Sequence, residues 1–323
     1  MLNITVVLCT YNRYQSLVKA LNSAAALILP PSVEWEVVVV DNNSSDQTSE
    51  VVADFCRRYP TRFRYVFEPQ PGLSTARNTG VREARGDIIA FMDDDLTVEP
   101  TWLQNLTAAL HDGEWAGAGG RILPERAFSP PRWLSLECGY ALAPLALLDR
   151  GTDAGQLAEA PFGANMAFRK GMFKKYGGFR TDLGRRPGSL MSNEDTEFGG
   201  RLLAAGELLR YEPSAVVYHP VLDHRLQKKY FLAWWFDKSR SDIRQCGIRP
   251  NTKYFWRGIP LYLFRNIAVW TLRWITTVKP RRRFSHKVTV WSKAGQILEC
   301  YRHSLDVQSS GTARAQFKPR PSA

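Results

Sequence analysis

Three consecutive carboxylates, Asp93-Asp94-Asp95, follow the apolar run Asp87–Met92 in this 323-residue sequence. Like charges crowded into a low-dielectric site repel one another, and a divalent cation removes the conflict. Hard oxygen ligands of this kind suit Mg²⁺ or Mn²⁺. Side chains alternate along an extended segment, so Asp93 and Asp95 are expected on one side, able to meet a metal–diphosphate, with Asp94 on the other. A solvated acidic loop capping the helix that Pro100 opens is the competing reading. Two further apolar runs end in Thr10-Tyr11-Asn12-Arg13 and in Asp41-Asn42-Asn43. Asp41 could equally close an Asx turn, which Asp-Asn-Asn-Ser favours. Glu194-Asp195 opens a helical pattern, where first-turn carboxylates also stabilise the positive helix end. His219 ends an apolar run ahead of Pro220; a neutral imidazole there suits Mn²⁺, and a satisfied interior histidine is the alternative.

The elements that must carry these residues alternate between strand and helix patterns. Ile4–Cys9, Trp35–Val40, Phe63–Phe67 and Asp87–Met92 read as strands, and Trp35–Val40 is the near-continuous apolar run of a strand buried on both faces. Helices are expected over Gln15–Ala26, Asp46–Tyr59, Ser74–Ala84 and from Pro100 to about His111. This βαβα order implies an α/β fold with a doubly wound, mostly parallel sheet and flanking helices. Ligands of such sheets bind at the carboxyl ends of the strands, where the polar groups above converge. Beyond residue 115, strands are expected over Ala116–Ile122, Ala164–Phe168 and within Leu208–Tyr218, a helix over Glu194–Ala205, and loops over Phe128–Pro161. The first strand–helix turn lacks G-x-G-x-x-G, and neither a Walker A nor an H-E-x-x-H motif occurs. A dinucleotide-dependent dehydrogenase, a P-loop NTPase and a zincin are therefore not expected.

Taken in order, Thr10-Tyr11-Asn12, Val40-Asp41-Asn42-Asn43-Ser44, Gly72 to Gly80 with Arg77 and Asn78, Phe91-Met92-Asp93-Asp94-Asp95, Gly163-Ala164-Asn165-Met166, Asn193-Glu194-Asp195 and Tyr218-His219-Pro220 resemble the family 2 glycosyltransferases of GT-A fold. The resemblance covers roughly residues 3–225. It implies that Asp41 accepts the N–H of a nucleotide base and that Thr10, Tyr11, Asn12 and Arg13 line the base pocket. Asp93, with Asp94 beside it, would face the ribose side of the nucleotide, and Asp95 the metal bridging the diphosphate, with His219 as a further ligand. Gly163 and Asn165 resemble the loop under the donor sugar. Asp195 resembles the general base that deprotonates an acceptor hydroxyl, with Glu194 next to it as runner-up. Arg77 would make either a structural salt bridge or a phosphate contact. The implied enzyme is an inverting, metal-dependent glycosyltransferase using Mn²⁺ or Mg²⁺ and a nucleotide-sugar, a UDP-sugar above all, with a sugar or lipid-linked sugar as acceptor. The Q-x-x-R-W motif of processive synthases is absent. A sugar nucleotidyltransferase and a non-catalytic binding protein on the same scaffold are the rivals.

Composition divides the chain. The net charge of +12 separates into −5 for residues 1–223 and +17 for residues 224–323. The expected organisation is a catalytic domain over 1–223, a helical, basic extension over 224–303 and a disordered tail over 304–323. On a helical wheel, Leu263, Phe264, Ile267, Trp270, Trp274 and Val278 share one arc, with Arg257, Arg265, Asn266 and Arg273 opposite, and Trp234-Trp235 lies upstream. That pattern fits either a helix lying in an anionic membrane interface or one packed on the body. No nucleic-acid motif accompanies the basic residues, so nucleic acid is not the expected partner. Five scattered cysteines, Cys9, Cys56, Cys138, Cys246 and Cys300, do not form a disulfide or zinc pattern. The opening MLNITVVLC lacks a basic n-region, and no apolar run is long enough to span a bilayer. The expected location is cytoplasmic, peripheral on the inner face of the plasma membrane.

Overall fold

A computed structural model of the chain describes residues 2–111, 113–137 and 141–309. Two compact units emerge. The first comprises the chain up to Ala127, Ala146–Thr181 and Glu194–Pro220; the second comprises 128–145, 182–193 and the chain from Val221 onward. The sequence suggested one cut after residue 223. Instead, two irregular stretches leave the first unit and return to it.

In chain order the elements are β1 (Leu2–Thr10), α1 (Tyr14–Ala25), β2 (Val33–Asp41), α2 (Thr48–Arg58), β3 (Phe63–Phe67), α3 (Leu73–Glu83) and β4 (Ile88–Asp93). There follow β5 (Thr97–Val98), α4 (Trp102–Ala108), β6 (Trp115–Pro124), the short α5 (Leu142–Leu145) of the second unit, β7 (Gly155–Gln156) and β8 (Asn165–Arg169). α6 (Lys170–Tyr176), α7 (Glu194–Ala204) and β9 (Leu208–His219) complete the first unit. Among the described residues the strands form one nine-stranded sheet, ordered β3-β2-β1-β4-β8-β6-β9-β5, with β7 also on β9. β1, β2, β3, β4, β6 and β9 run one way, and β5, β7 and β8 oppose them. The sheet is thus mostly parallel, as the alternation implied.

β2 shows why the sheet is covered on both faces. Val37 and Val39 enter a core with Leu17, Leu21, Phe55 and Trp102, from α1, α2 and α4. Val38 and Val40 enter the opposite core with Ala76, Phe173, Phe198 and Leu202, from α3, α6 and α7. Fully burying each large apolar side chain contributes roughly 1.5–3 kcal/mol. In the second core, Phe198 stacks on Phe173 at 4.5 Å between centroids and meets Phe168 edge-on at 5.0 Å. These rings fix α7, and with it the first-turn pair Glu194-Asp195.

The second unit contains α8 (Lys228–Cys246), a hairpin of β10 (Phe255–Trp256) and β11 (Ile259–Pro260), α9 (Leu261–Thr276) and α10 (Pro280–Ser309). α8 and α10 cross closely at Gly295, where a Cβ would stand 2.2 Å from the Phe236 carbonyl oxygen. Arg240 donates to Glu299 at 3.0 Å across the same contact. Trp133 explains why an irregular stretch belongs here: its ring packs on Phe231 and Phe284, 5.2 and 4.4 Å away.

Two expectations change in this unit. The arc of α9 expected to be apolar is packed rather than open, except at Val278: Leu263 is buried, Trp270 packs on His286 and Trp274 on Trp291. Trp234 is interior as well. Residues 304–309, expected to begin a tail, continue α10, and 310–323 lie outside the described residues. Cys9, Cys56, Cys246 and Cys300 are free thiols, while Cys138 lies outside the described residues. Among the described residues, no helix is long and apolar enough to cross a membrane.

Candidate active site

Strand register brings the separated motifs onto one rim. Thr10 is level with Asp41, Cys9 with Asp93, Met92 with Asn165, and Pro124 with His219. Since β8 runs antiparallel, its start rather than its end reaches this edge, which is how Gly163 and Asn165 join the carboxyl ends of β1, β2, β4 and β9.

The turns after β1 and β2 are laced together. Asn12 and Asn43 adopt left-handed backbone angles (φ 49° and 66°), which asparagine tolerates better than most residues. The Asn12 N–H donates to Ser44 Oγ at 3.0 Å, and the Ser45 N–H returns a bond to Asn12 Oδ1 at 2.7 Å. Tyr11 and Arg13 are exposed beside this pair. Asp41 is buried, with Oδ1 accepting from the Ser44 N–H and Oδ2 from the Tyr65 hydroxyl, both at 2.9 Å. Its turn-closing role is therefore present in the fold. Burial and this bond push the Tyr65 hydroxyl up to about 12. Tyr65 was not singled out from the sequence; its only signal is a polar tip one pleat before the rim on neighbouring β3.

The acidic triplet departs from the expected alternation. β4 ends at Asp93, and Asp94 and Asp95 lie in the following turn. A single Arg13 Nη1 reaches both, at 3.2 Å from Asp94 Oδ1 and 3.0 Å from Asp95 Oδ2. They share one cation rather than facing opposite ways, because period-2 geometry stops where the strand stops. Asp94 is buried and accepts from the Thr10 hydroxyl at 2.8 Å. Burial, then the Asp95 charge, push its carboxyl up to about 7, against Arg13 and Thr10, which pull it down. Asp93 is the most open of the three, with a third of its side chain accessible.

His219 Nε2 lies 3.5 Å from Asp95 Oδ1, and both side chains are largely buried. Two cis ligands of an octahedral ion at ~2.1 Å stand about 3 Å apart, so this carboxylate–imidazole pair suits one small divalent cation. Among the described residues, no group of three or more His, Cys, Asp or Glu is arranged to hold an ion. A partial protein shell matches ions that keep waters and bind substrate phosphates.

Arg77 makes the salt bridge that was one of its two expected contacts. It is 3% exposed and donates to Glu194 Oε1 at 2.6 Å, to the Gly163 carbonyl at 3.3 Å and to Asp93 Oδ1 at 3.4 Å. Burial disfavours its charge; Glu194 and then Asp93 outweigh burial and hold it above its ordinary value. Glu194 is accordingly committed to Arg77 and shut away, whereas the adjacent Asp195 is half-buried. Asp195 Oδ2 accepts from the Gly163 N–H at 2.6 Å, and Oδ1 from the Thr196 N–H at 2.7 Å. Gly163 is required for this approach: a Cβ would stand 2.7 Å from Arg77 Nη2 and 2.9 Å from Asp195 Oδ2. Asn165, expected beneath the donor, is 1% exposed. It accepts from Trp102 Nε1 at 2.9 Å and gives its amide protons to the Arg121 and Ala215 carbonyls, both at 2.8 Å. It ties the rim together from within because β8 turns that side chain inward. The sequence did not point to Trp102, and it gave Asn42 only as part of a motif; the Asn42 amide bridges the Glu68 and Gln70 carbonyls.

A doubly wound, mostly parallel sheet whose carboxylates gather at one strand-end rim is the arrangement that the resemblance to GT-A glycosyltransferases implied. The family model for glycosyl transferase family 2 matches residues 5–177, and the chain belongs to that family. It is 30% identical over 237 residues to the succinoglycan biosynthesis protein ExoM of Rhizobium meliloti, covering 72% of this chain and 70% of that protein. It is 25% identical over 240 residues to the glucosyl-dolichyl phosphate glucuronosyltransferase of Haloferax volcanii, covering 72% and 75%. Among solved structures, the fold resembles the mannosyltransferase PcManGT of Pyrobaculum calidifontis, a complex with GDP-Man and Mn²⁺, with a TM-score of 0.56 at 18% identity over 96% of this chain and 76% of that one. It also resembles residues 1–349 of S. aureus TarS, with a TM-score of 0.51 at 16% identity over 97% and 93%.

Proposed function

We propose that this glycosyltransferase is inverting and metal-dependent, and moves a sugar from a UDP-sugar to an acceptor hydroxyl in cell-surface polysaccharide or glycolipid assembly. The carrying observation is Asp195: a half-buried carboxylate at the rim, oriented by two backbone N–H groups and adjacent to the Arg77–Glu194 pair. Solved complexes of similar fold contain UDP-GlcNAc in one case and GDP-Man with Mn²⁺ in another. The Rhizobium relative is named for succinoglycan biosynthesis and the Haloferax relative for a glucosyl-dolichyl phosphate. A lipid-linked acceptor at the cytoplasmic face of an anionic membrane agrees with those names and with the basic second unit.

In this mechanism Asp41 exchanges its Tyr65 contact for the N–H of the base, and Tyr11, Asn12 and Arg13 border the base. Asp93 faces the ribose. Asp95 and His219 would hold Mn²⁺ or Mg²⁺, which supplies Lewis-acid stabilisation of the departing diphosphate. Arg13 neutralises Asp94 and Asp95, so the rim can admit an anionic donor. The backbone at Gly163 lets the sugar approach closely, because no side chain stands there. Asp195 takes the proton of the acceptor hydroxyl as that oxygen attacks the anomeric carbon from the side opposite the leaving diphosphate. Arg77 holds Glu194 away from that path and fixes Gly163, which in turn orients Asp195.

The test is release of nucleoside diphosphate from a panel of UDP- and GDP-sugars with a lipid-linked acceptor pool, with Mn²⁺ and with EDTA. Metal-dependent release of UDP is expected. Release of GDP alone would overturn the UDP assignment, and turnover unaffected by EDTA would overturn the metal.

A further inference from the structure

The second unit contains a cleft of about 490 Å³ lined by Arg249, Lys253, Tyr254, Leu261, Tyr262 and Arg265, among others. Its wall is shaped by a turn in which Asn251 is left-handed (φ 61°) and the Thr252 hydroxyl donates to the Arg249 carbonyl at 2.7 Å. The Leu261 N–H donates to the Tyr254 carbonyl at 3.0 Å, closing the other side. The Arg249 guanidinium lies over the Tyr262 ring, 4.9 Å from its centroid. Arg249, Lys253 and Arg265 are exposed, and among the described residues none forms an ion pair with a carboxylate. Between Asp242 and Glu299 the chain has 12 Lys and Arg and no Asp or Glu. The charge in the cleft is therefore not balanced locally.

Beside this cleft lies an open apolar surface. With one arc of α9 packed on α10, its outward residues are Leu261, Val269, Leu272 and Ile275, followed by Val278, and the last three are 64%, 64% and 89% exposed. Spacing of 3, 4 or 8 residues along the helix places Leu261, Val269, Leu272 and Ile275 on one stripe with Arg265 among them. The β10–β11 hairpin adds exposed Tyr254, Phe255 and Trp256 at its start. Its two-residue turn, Arg257-Gly258, has φ of 48° and 78°, which suits the twist of a tight hairpin.

We propose that the Arg249–Lys253–Arg265 cleft is a headgroup site for an anionic glycerophospholipid, with the outward stripe of α9 and the hairpin aromatics seated in the acyl boundary beside it. This rests on the membrane reading above and assigns its contact surface. Guanidinium and ammonium groups give directional donors to a phosphate, and tyrosine and tryptophan suit the boundary between water and hydrocarbon. Charge complementarity selects the lipid: a cleft whose described lining has no carboxylate excludes cationic partners, and the adjoining apolar stripe would be left in water by a free phosphate or by RNA.

The test is flotation of the full-length chain with vesicles of phosphatidylcholine, with and without phosphatidylglycerol. Wild type is expected to float with phosphatidylglycerol vesicles. At about fivefold per basic residue, Arg249→Gln with Lys253→Gln and Arg265→Gln should weaken partitioning by ~100-fold. Arg281→Gln with Arg282→Gln and Arg283→Gln, which carry the same charge outside the cleft, should weaken it much less. Leu272→Asp with Ile275→Asp should abolish the binding that survives high salt. Equal losses in the two arginine-containing triples, or no loss in the first, would overturn the headgroup site. RNA binding without vesicle binding would overturn it as well. Donor turnover is measured on each variant: vesicle binding lost with turnover intact separates failure of this surface from failure of the transferase reading. Unchanged melting temperatures confirm that these exposed substitutions leave the fold intact.

Discussion

Arg77→Met removes the buried cation that pairs with Glu194 and Asp93, so its cost can be worked from the geometry. Arg77 and Glu194 have side chains 3% and 6% exposed and approach to 2.6 Å, so solvent screening gives little relief. Removing one partner of a buried ion pair costs about 3–5 kcal/mol, because the other charge stays in a low-dielectric site. Met keeps much of the volume between Phe91 and Phe179, over whose rings the guanidinium lies at 5.9 and 5.8 Å. The loss should therefore be mainly electrostatic. Urea unfolding followed by circular dichroism, with tryptophan fluorescence as a second probe, measures it. Glu194→Gln in the Arg77→Met background should recover a good part of the loss, and the cycle should show a coupling of about 1–3 kcal/mol. A cost below ~1 kcal/mol for Arg77→Met, or purely additive effects in the double variant, would refute the idea that this pair is a dry, mutually dependent charge pair.

Asp195→Asn should leave binding of the nucleotide-sugar within a factor of a few of wild type, by calorimetry, while transfer falls at least ~10²-fold, as expected for loss of a general base. Gly163→Ala should lower kcat by more than tenfold and stability by about 1–3 kcal/mol, since the new methyl displaces Arg77 and Asp195; normal turnover would show that the loop relaxes freely. Glu36 supplies a pH dependence. Burial raises its pKa, but bonds from Arg64, the Arg85 N–H and Thr5 outweigh burial and leave it below 4.5. Its folded pKa is thus the lower one, so its contribution is complete above the unfolded value of about 4.5 and disappears as pH falls through the folded value. Thermal melts from pH 6 down to 3 should show this acid limb flattened in Glu36→Gln.

The site was largely legible because its residues sit where strands end. The apolar runs of β1, β2 and β4 mark their own carboxyl ends, and a doubly wound sheet brings such ends to one edge. Asp94 and Asp95 leave the expected alternation because the strand stops at Asp93, and three identical residues give no sign of where extended geometry yields to a turn. Asn165 looked like a binding residue because a rim position does not show which way its amide turns. β5 and β7, of two residues each, carry too little pattern to be seen. The outward surface of α9 was hidden for another reason: the helix has two apolar arcs, and only its packing on α10 shows which one is spent.

Because β8 enters the sheet against the direction of its neighbours, the segment leading into it crosses the donor rim rather than the far edge. Its register, Met92 opposite Asn165, is anchored by bonds from Asn165 to Trp102, Arg121 and Ala215, none of which lies between residues 128 and 162. That connecting segment is held in its own right, by Trp133 on Phe231 and Phe284, by Leu157 in the core and by β7 on β9, so only its exposed turn at 151–154 can change length without disturbing those contacts. Such a layout separates two tasks: the strand is fixed from the sheet side through Asn165, and the exposed turn carries no share of that anchoring. For engineering, the exposed turn at 151–154 is the place to graft new sequence.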